Sequence, residues 1–215
     1  MPPKPKFTKD EIALAALDIV KKDGVSALTA RELGKRLGSS SCPVFTVFKN
    51  MEEVKGAARE LGLREFEEYA SDFTGYTPAF KRIGMLMVSY AINEPELFKL
   101  LFMQEHTESR CFENTIQDLG SLADTCIQLI QNDYEISLND AETLFEQMWI
   151  HAFGLCSLCV MKVCDFSEEE ISKRLSQVFV GLITIIKSGN LENVYGLPEK
   201  NSSGVNPVHF PFISK

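Results

Sequence analysis

The stretch from Leu28 to Val54, LTARELGKRLGSSSCPVFTVFKNMEEV, constrains this chain more than any other. Thr29 is placed to cap a helix, and Glu32 three residues later completes a T-x-x-E capping box. Ala30, Leu33 and Leu37 then fall on one helical face. Gly38 ends that helix, as a residue turning with positive φ would. After three serines, Cys42 and Pro43 open a second helix, because proline is tolerated in a first turn. Its expected buried face is Val44, Val47 and Phe48. Gly34, Gly38 and Val44 stand at the offsets of a helix-turn-helix. A side chain at 34 would hold the helices apart, Gly38 makes the bend, and Val44 fills the angle. Asn50 with Glu53 caps a further helix that starts at once.

These residues resemble the DNA-binding head of TetR-type transcription regulators. In that family a long first helix precedes such a unit. A pattern of roughly Tyr-x-x-Phe, a short polar turn and Lys-Glu-Glu-Leu follows it. Here the pattern reads Phe45-Thr46-Val47-Phe48, Lys49-Asn50 and Met51-Glu52-Glu53-Val54. The resemblance implies an all-α fold with a three-helix helix-turn-helix head over residues 1–55. A helical-bundle ligand-binding and dimerisation domain over 56–189 follows, then an irregular tail over 190–215. It implies a homodimer that binds double-stranded DNA on an inverted repeat, most often as a repressor, and that releases it on binding an effector. Phe45 replaces the family's phosphate-contacting Tyr and Met51 its Lys, so a weakened hold on the DNA backbone is expected.

Backbone contacts are assigned to Thr29 at a helix N-terminus, to Lys49 and Lys55, and to Lys4 and Lys6 in the proline-rich N-terminal arm. From Gly38 to Phe48 there is no Lys or Arg. Base readout therefore falls to Ser39, Ser40, Ser41 and Thr46, with Pro43 or Phe45 against thymine methyl groups. That lack of cations keeps a second reading open: an all-helical small-molecule-binding or interaction protein with weak or lost specific DNA binding.

The charge is divided in a way a DNA binder can use, although +3 over sixty residues is also an ordinary fluctuation. Residues 1–60 hold eleven Lys or Arg against eight Asp or Glu, and residues 61–215 hold eleven against twenty-two, so +3 and −11 make the net −8. A basic head on an acidic body restricts attraction for phosphate to the head.

Before the unit, Thr8 and Glu11 open a helix running to Asp23, with Ile12, Ala15, Ala16 and Ile19 as its stripe and Gly24 as its stop. After it, helices are expected over Met51–Asp72, Pro78–Asn93, Glu94–Glu105, Cys111–Asn132, Leu138–Val163 and Ser167–Lys187. Gly56 and Gly62 suggest a bend and a pivot between head and body. The tail beyond Gly189 has no sustained period; it is expected either to pack through Val194, Tyr195, Phe210 and Phe212 or to stay mobile.

In the body, Phe80, Met87, Tyr90, Phe102 and Met103 suggest the wall of a ligand pocket within a helical core, with Trp149 and His151 as polar tips. A mostly apolar effector is expected. The acidic body argues against an anionic one unless a cation, Arg82 or Lys99, faces inward. The stripe Trp149, Ala152, Phe153, Cys156, Cys159 and Val160, and the nearly all-apolar segment around Val178 to Ile186, suggest the surface where two copies meet.

No catalytic signature is present: no G-x-S-x-G, H-E-x-x-H, phosphate-cradling loop or Rossmann fingerprint, and His106, His151 and His209 are scattered. No cofactor, metal site or enzymatic activity is expected. Cys156 and Cys159 form a C-x-x-C inside an apolar helical run, which suits core cysteines better than a zinc knuckle. No apolar run follows MPPKPKF, and the longest elsewhere, Met148 to Met161, is too short to span a membrane, so a cytoplasmic protein is expected.

Overall fold

Local capping starts five of the helices in the computed structural model, which describes residues 5–73, 76–105 and 111–189. Thr8 accepts from the Glu11 amide at 3.2 Å while Glu11 accepts from the Thr8 amide at 2.8 Å, opening α1, Lys9–Asp23. Thr29 caps α2, Ala30–Arg36, and Asn50 caps α3, Met51–Ala70. Four helices without a side-chain cap follow: α4 (Ala79–Asn93), α5 (Pro95–Phe102), α6 (Phe112–Gln117) and α7 (Ser121–Tyr134). Ser137 then caps α8, Leu138–Val160, and the Ser167–Glu170 box opens α9, Glu168–Lys187. The fold is all-α, with no strand among the described residues. Lys4, His106, His209 and the expected tail, with Val194, Tyr195, Phe210 and Phe212, lie outside the described residues.

Several local expectations are corrected. The second helix of the helix-turn-helix is a 3-10 turn, Val44–Thr46, held by i→i+3 bonds from Val44–Ser41 to Val47–Val44. Three serines, a proline and the β-branched Val44, Thr46 and Val47 all disfavour a longer α-helix. At α2 only half of the capping box forms, because the Glu32 carboxylate faces Lys35 at 3.4 Å. The helix expected over Cys111–Asn132 is broken into α6 and α7 at Gly120, whose φ of 55° no helix accommodates. Conversely, α3 runs unbroken through Gly56 and Gly62. A Cβ on Gly62 would stand 3.1 Å from Leu101 and 3.5 Å from Leu17, so this glycine serves close packing rather than a bend.

That close approach explains why α1 buries more than its predicted stripe. Ile12, Ala16 and Ile19 are buried as expected, and so are Ala13, Leu17 and Val20, since α1 packs along α3 and α5 as well as α2. Ala15 is only half-buried. A single apolar core runs from Ile12 through Phe66, Phe98 and Leu144 to Ile186. Each fully buried Phe or Leu in it contributes about 1.5–3 kcal/mol. Arg59 on α3 donates to the Leu101 carbonyl at 3.1 and 3.2 Å and pairs with Asp118 at 3.5 Å. It thereby ties α3 to the C-terminus of α5 and to the break before α7.

The outward faces of the last two helices differ from expectation. Trp149, Ala152, Cys156 and Val160 are buried within the chain's own core. On α8 the exposed stripe is Ile150, Gly154 and Leu158, continued by Met161 just past the helix end. On α9 only Ile171, Leu175 and Ile186 are buried, while Val180 is 59% exposed and Val178, Leu182, Ile183 and Ile185 are half-buried.

Candidate functional site

Two places among the described residues combine shape with chemistry. The first is the angle between α2 and the 3-10 turn. A Cβ on Gly34 would stand 2.8 Å from the Ser40 carbonyl carbon, 2.9 Å from the Ser41 amide and 3.1 Å from the Ser39 carbonyl oxygen. Only glycine lets the turn press this closely onto the helix. Gly38 supplies the bend with φ of 61°, and Val44 is fully buried in the angle. The packing presents Ser39, Ser40 and Ser41 in a shallow polar cleft with Arg31 and Lys35 of α2. Lys6 of the N-terminal arm closes over it, its Nζ donating to the Ser39 hydroxyl at 3.0 Å.

The other candidates for nucleic-acid contact surround this cleft unevenly. Thr29 is exposed but its hydroxyl already accepts from Glu32. Thr46 donates its proton to the Pro43 carbonyl at 2.7 Å, leaving its lone pairs to accept. Phe45 is 43% exposed, leaving its ring edge open to a partner. Pro43 is half-buried beside it in sequence. Lys49 is almost fully exposed and faces Glu53 at 3.7 Å, and Lys55 pairs with Glu52 at 2.8 Å. Arg31 and Lys35 were not singled out from the sequence. Their i,i+4 spacing on the exposed side of α2 was the available signal.

The second place is a cavity of about 350 Å³ in the body, at the low end of the range typical of small-molecule sites. It lies among α4, α7, α8 and α9, with Phe66 of α3 at one edge. Phe80 packs against Phe145 and Phe179 with ring centroids 6.3 and 5.9 Å apart, and Tyr134 against Phe179 at 4.9 Å. Of the residues expected there, Phe80, Met87 and Trp149 line it. Tyr90, Phe102, Met103 and His151 do not. Phe102 packs instead between Phe66, Phe98 and Trp149, and Met103 follows it at the end of α5. Tyr90 lies buried against Phe66, and burial with the nearby Glu65 and Glu94 pushes its phenol well above the ordinary range. Its hydroxyl and His151 Nε2 are buried without a hydrogen-bond partner among the described residues.

The cation assignment is also corrected. Arg82 pairs with Asp72 at 3.2 Å and lies over the Tyr76 ring, and Lys99 pairs with Glu96 at 2.6 Å. Lys81, unremarked in the sequence, is the charged side chain that lines the cavity. The thiol of Cys126, also in the wall, is pushed up to about 12 by burial and so stays protonated. Cys156 is buried with its thiol directed at the Met87 carbonyl, 3.8 Å away. No group of three His, Cys, Asp or Glu able to hold a metal ion occurs among the described residues. No helix among them is long and apolar enough to cross a membrane.

The architecture is all-helical among the described residues, and solved structures share it. A transcriptional regulator from Rhodococcus sp. RHA1 superposes with a TM-score of 0.56 at 16% identity, covering 85% of this chain and 97% of that one. A protein of unknown function from Rhodococcus sp. RHA1 superposes with a TM-score of 0.61 at 17% identity, covering 86% of this chain and 97% of its own. At such identities the likeness is one of fold. No protein-family model matches the chain, and no curated protein matches it in sequence.

Proposed function

We propose that this protein is a TetR-like, ligand-responsive regulator of transcription that binds double-stranded DNA as a homodimer, in the manner of a repressor. The observation that carries the reading is the close-packed angle at Gly34, which holds Ser39–Ser41 beside Arg31, Lys35 and Lys6 on a surface a DNA backbone and groove would fit. The description of one structural neighbour as a transcriptional regulator supports it. Dimerisation is supported by the exposed stripes on α8 and α9. Gly154 and Gly181 have open space where a side chain would project, so a second copy's helices could approach closely. Effector binding is assigned to the body cavity. A ligand would act by favouring a spacing of the two heads that no longer fits successive grooves, with a coupling of about 1–3 kcal/mol.

A second reading is favoured by one observation: the recognition segment is a single 3-10 turn without a Lys or Arg from Gly38 to Phe48. In that reading the body binds a small molecule and the head no longer holds DNA specifically. Fluorescence anisotropy with DNA from immediately upstream of the protein's own coding region decides between them. Saturable binding that survives excess unrelated duplex supports the regulator. Binding abolished equally by any duplex leaves the second reading.

A further inference from the structure

The cavity wall is mostly apolar, and Lys81, the charged residue among its described lining, lies at one seam. Where α4 meets α9, Phe80 packs on Phe179 with centroids 5.9 Å apart, and Gly84 faces Leu175, whose Cδ1 would lie 3.4 Å from a Cβ at 84. Lys81 and Ser176 are the neighbours of these contacts on their helices, both half-buried and both part of the wall. Elsewhere the lining is apolar apart from the Tyr134 phenol, the protonated Cys126 thiol and the Trp149 indole N–H. None of the ion pairs among the described residues uses Lys81, whereas neighbouring Arg82 is held by Asp72. A cation outside the ion pairs of the described residues, on the wall of a mostly apolar cavity that a serine of the facing helix also lines, suits one negative charge on an apolar body.

We propose that the effector is an apolar monocarboxylate, its hydrocarbon or aryl portion filling the cavity and its carboxylate pairing with Lys81 while accepting from Ser176. This deepens the ligand-responsive reading above and rests on it. A single ammonium matches one charge. A phosphate dianion would leave charge unpaired in an apolar wall, which is costly, within a body whose residues 61–215 hold twice as many acids as bases. A neutral ligand of the same shape would fill the cavity but leave Lys81 without a partner. An amine would meet a like charge.

Trp149 is the chain's one tryptophan and lines the cavity, so its fluorescence reports occupancy directly. The full chain is titrated with decanoate and decanol below their micelle-forming or solubility limits, and with phenylbutyrate and phenylbutanol as a compact aryl pair. In each pair the carboxylate is expected to bind about tenfold more tightly than its alcohol, the effect of one charge-assisted contact. Lys81→Met, which keeps the methylene stem, is expected to erase that preference, while a melting temperature and helicity equal to those of the natural chain show the fold intact. Equal binding of acid and alcohol to the natural chain, or a preference that survives Lys81→Met, overturns the carboxylate assignment and leaves the cavity as a ligand site. If none of the four compounds changes the Trp149 emission or raises the melting temperature, the carboxylate assignment and the ligand-responsive reading beneath it both fall.

Discussion

Replacing Gly34 and Gly56 by alanine in separate variants makes the same chemical change in two helices and should have opposite results. At Gly56 an added Cβ meets nothing within 4 Å. Only the helix-propensity gain of alanine over glycine operates there, about 1 kcal/mol of stabilisation. At Gly34 the Cβ meets backbone at 2.8, 2.9 and 3.1 Å, and backbone cannot rotate aside as a side chain does. The upper part of the overpacking range, about 3 kcal/mol, is then expected, offset by the same propensity gain of about 1. The net effect is about 2 kcal/mol of destabilisation. For a chain of 215 residues this corresponds to a melting temperature lowered by about 4–8 °C for Gly34→Ala and raised by about 2–4 °C for Gly56→Ala. The atoms displaced are those of Ser39–Ser41, so Gly34→Ala should also weaken DNA binding by about tenfold or more, the equivalent of about 1.4 kcal/mol of lost contact. Calorimetric melting and anisotropy on the same preparations supply both readings. If Gly34→Ala stabilises the protein as Gly56→Ala does, or binds DNA like the natural chain, the close-packed angle is not what positions the DNA-facing surface.

Other expectations follow from separate parts of the molecule. The natural chain should sediment as a dimer at micromolar concentration, and Gly154→Arg with Val180→Glu should sediment as a monomer of unchanged helicity; a natural chain that is monomeric refutes the α8–α9 interface. Lys6→Ala and Lys49→Ala should each flatten the dependence of log affinity on log salt by about one unit of slope, and slopes that do not move remove those lysines from the phosphate contacts. The amides of Thr8 and Ser167 donate to Glu11 and Glu170 and hold both carboxyls below their ordinary 4.5. Their folded values are depressed, so this stabilisation is full above the unfolded value and disappears as pH falls through the folded one. Glu11→Gln with Glu170→Gln should therefore lose less melting temperature on acidification below 4.5 than the natural chain, and superimposable acid limbs would contradict the capping account.

Five helix starts were legible in the sequence because each is settled within four residues. Thr8, Thr29, Asn50, Ser137 and Ser167 each cap the helix that follows through an amide three positions away. The spacing of Gly34, Gly38 and Val44 was legible for the same reason, since the helix-turn-helix closes within one short stretch. The all-α class was expected from the family resemblance and from helical patterning along the chain. What the tertiary structure alone decided depends on neighbours far along the chain. Gly62 reads as a weak point in a helix until Leu17 and Leu101, forty residues or so to either side, are seen to close on it. Trp149 and Cys156 read as an association stripe until Phe102 of α5 and Met87 of α4 meet them, which turns Ile150, Gly154 and Leu158 outward instead. Lys81, Arg82 and Lys99 are equivalent cations in the sequence. Asp72 and Glu96 engage two of them, and the packing of α4 on α9 puts the third on the cavity wall. Periodicity states that a side is apolar; which body covers that side, and which charge is left facing a void, is fixed only when the helices are assembled.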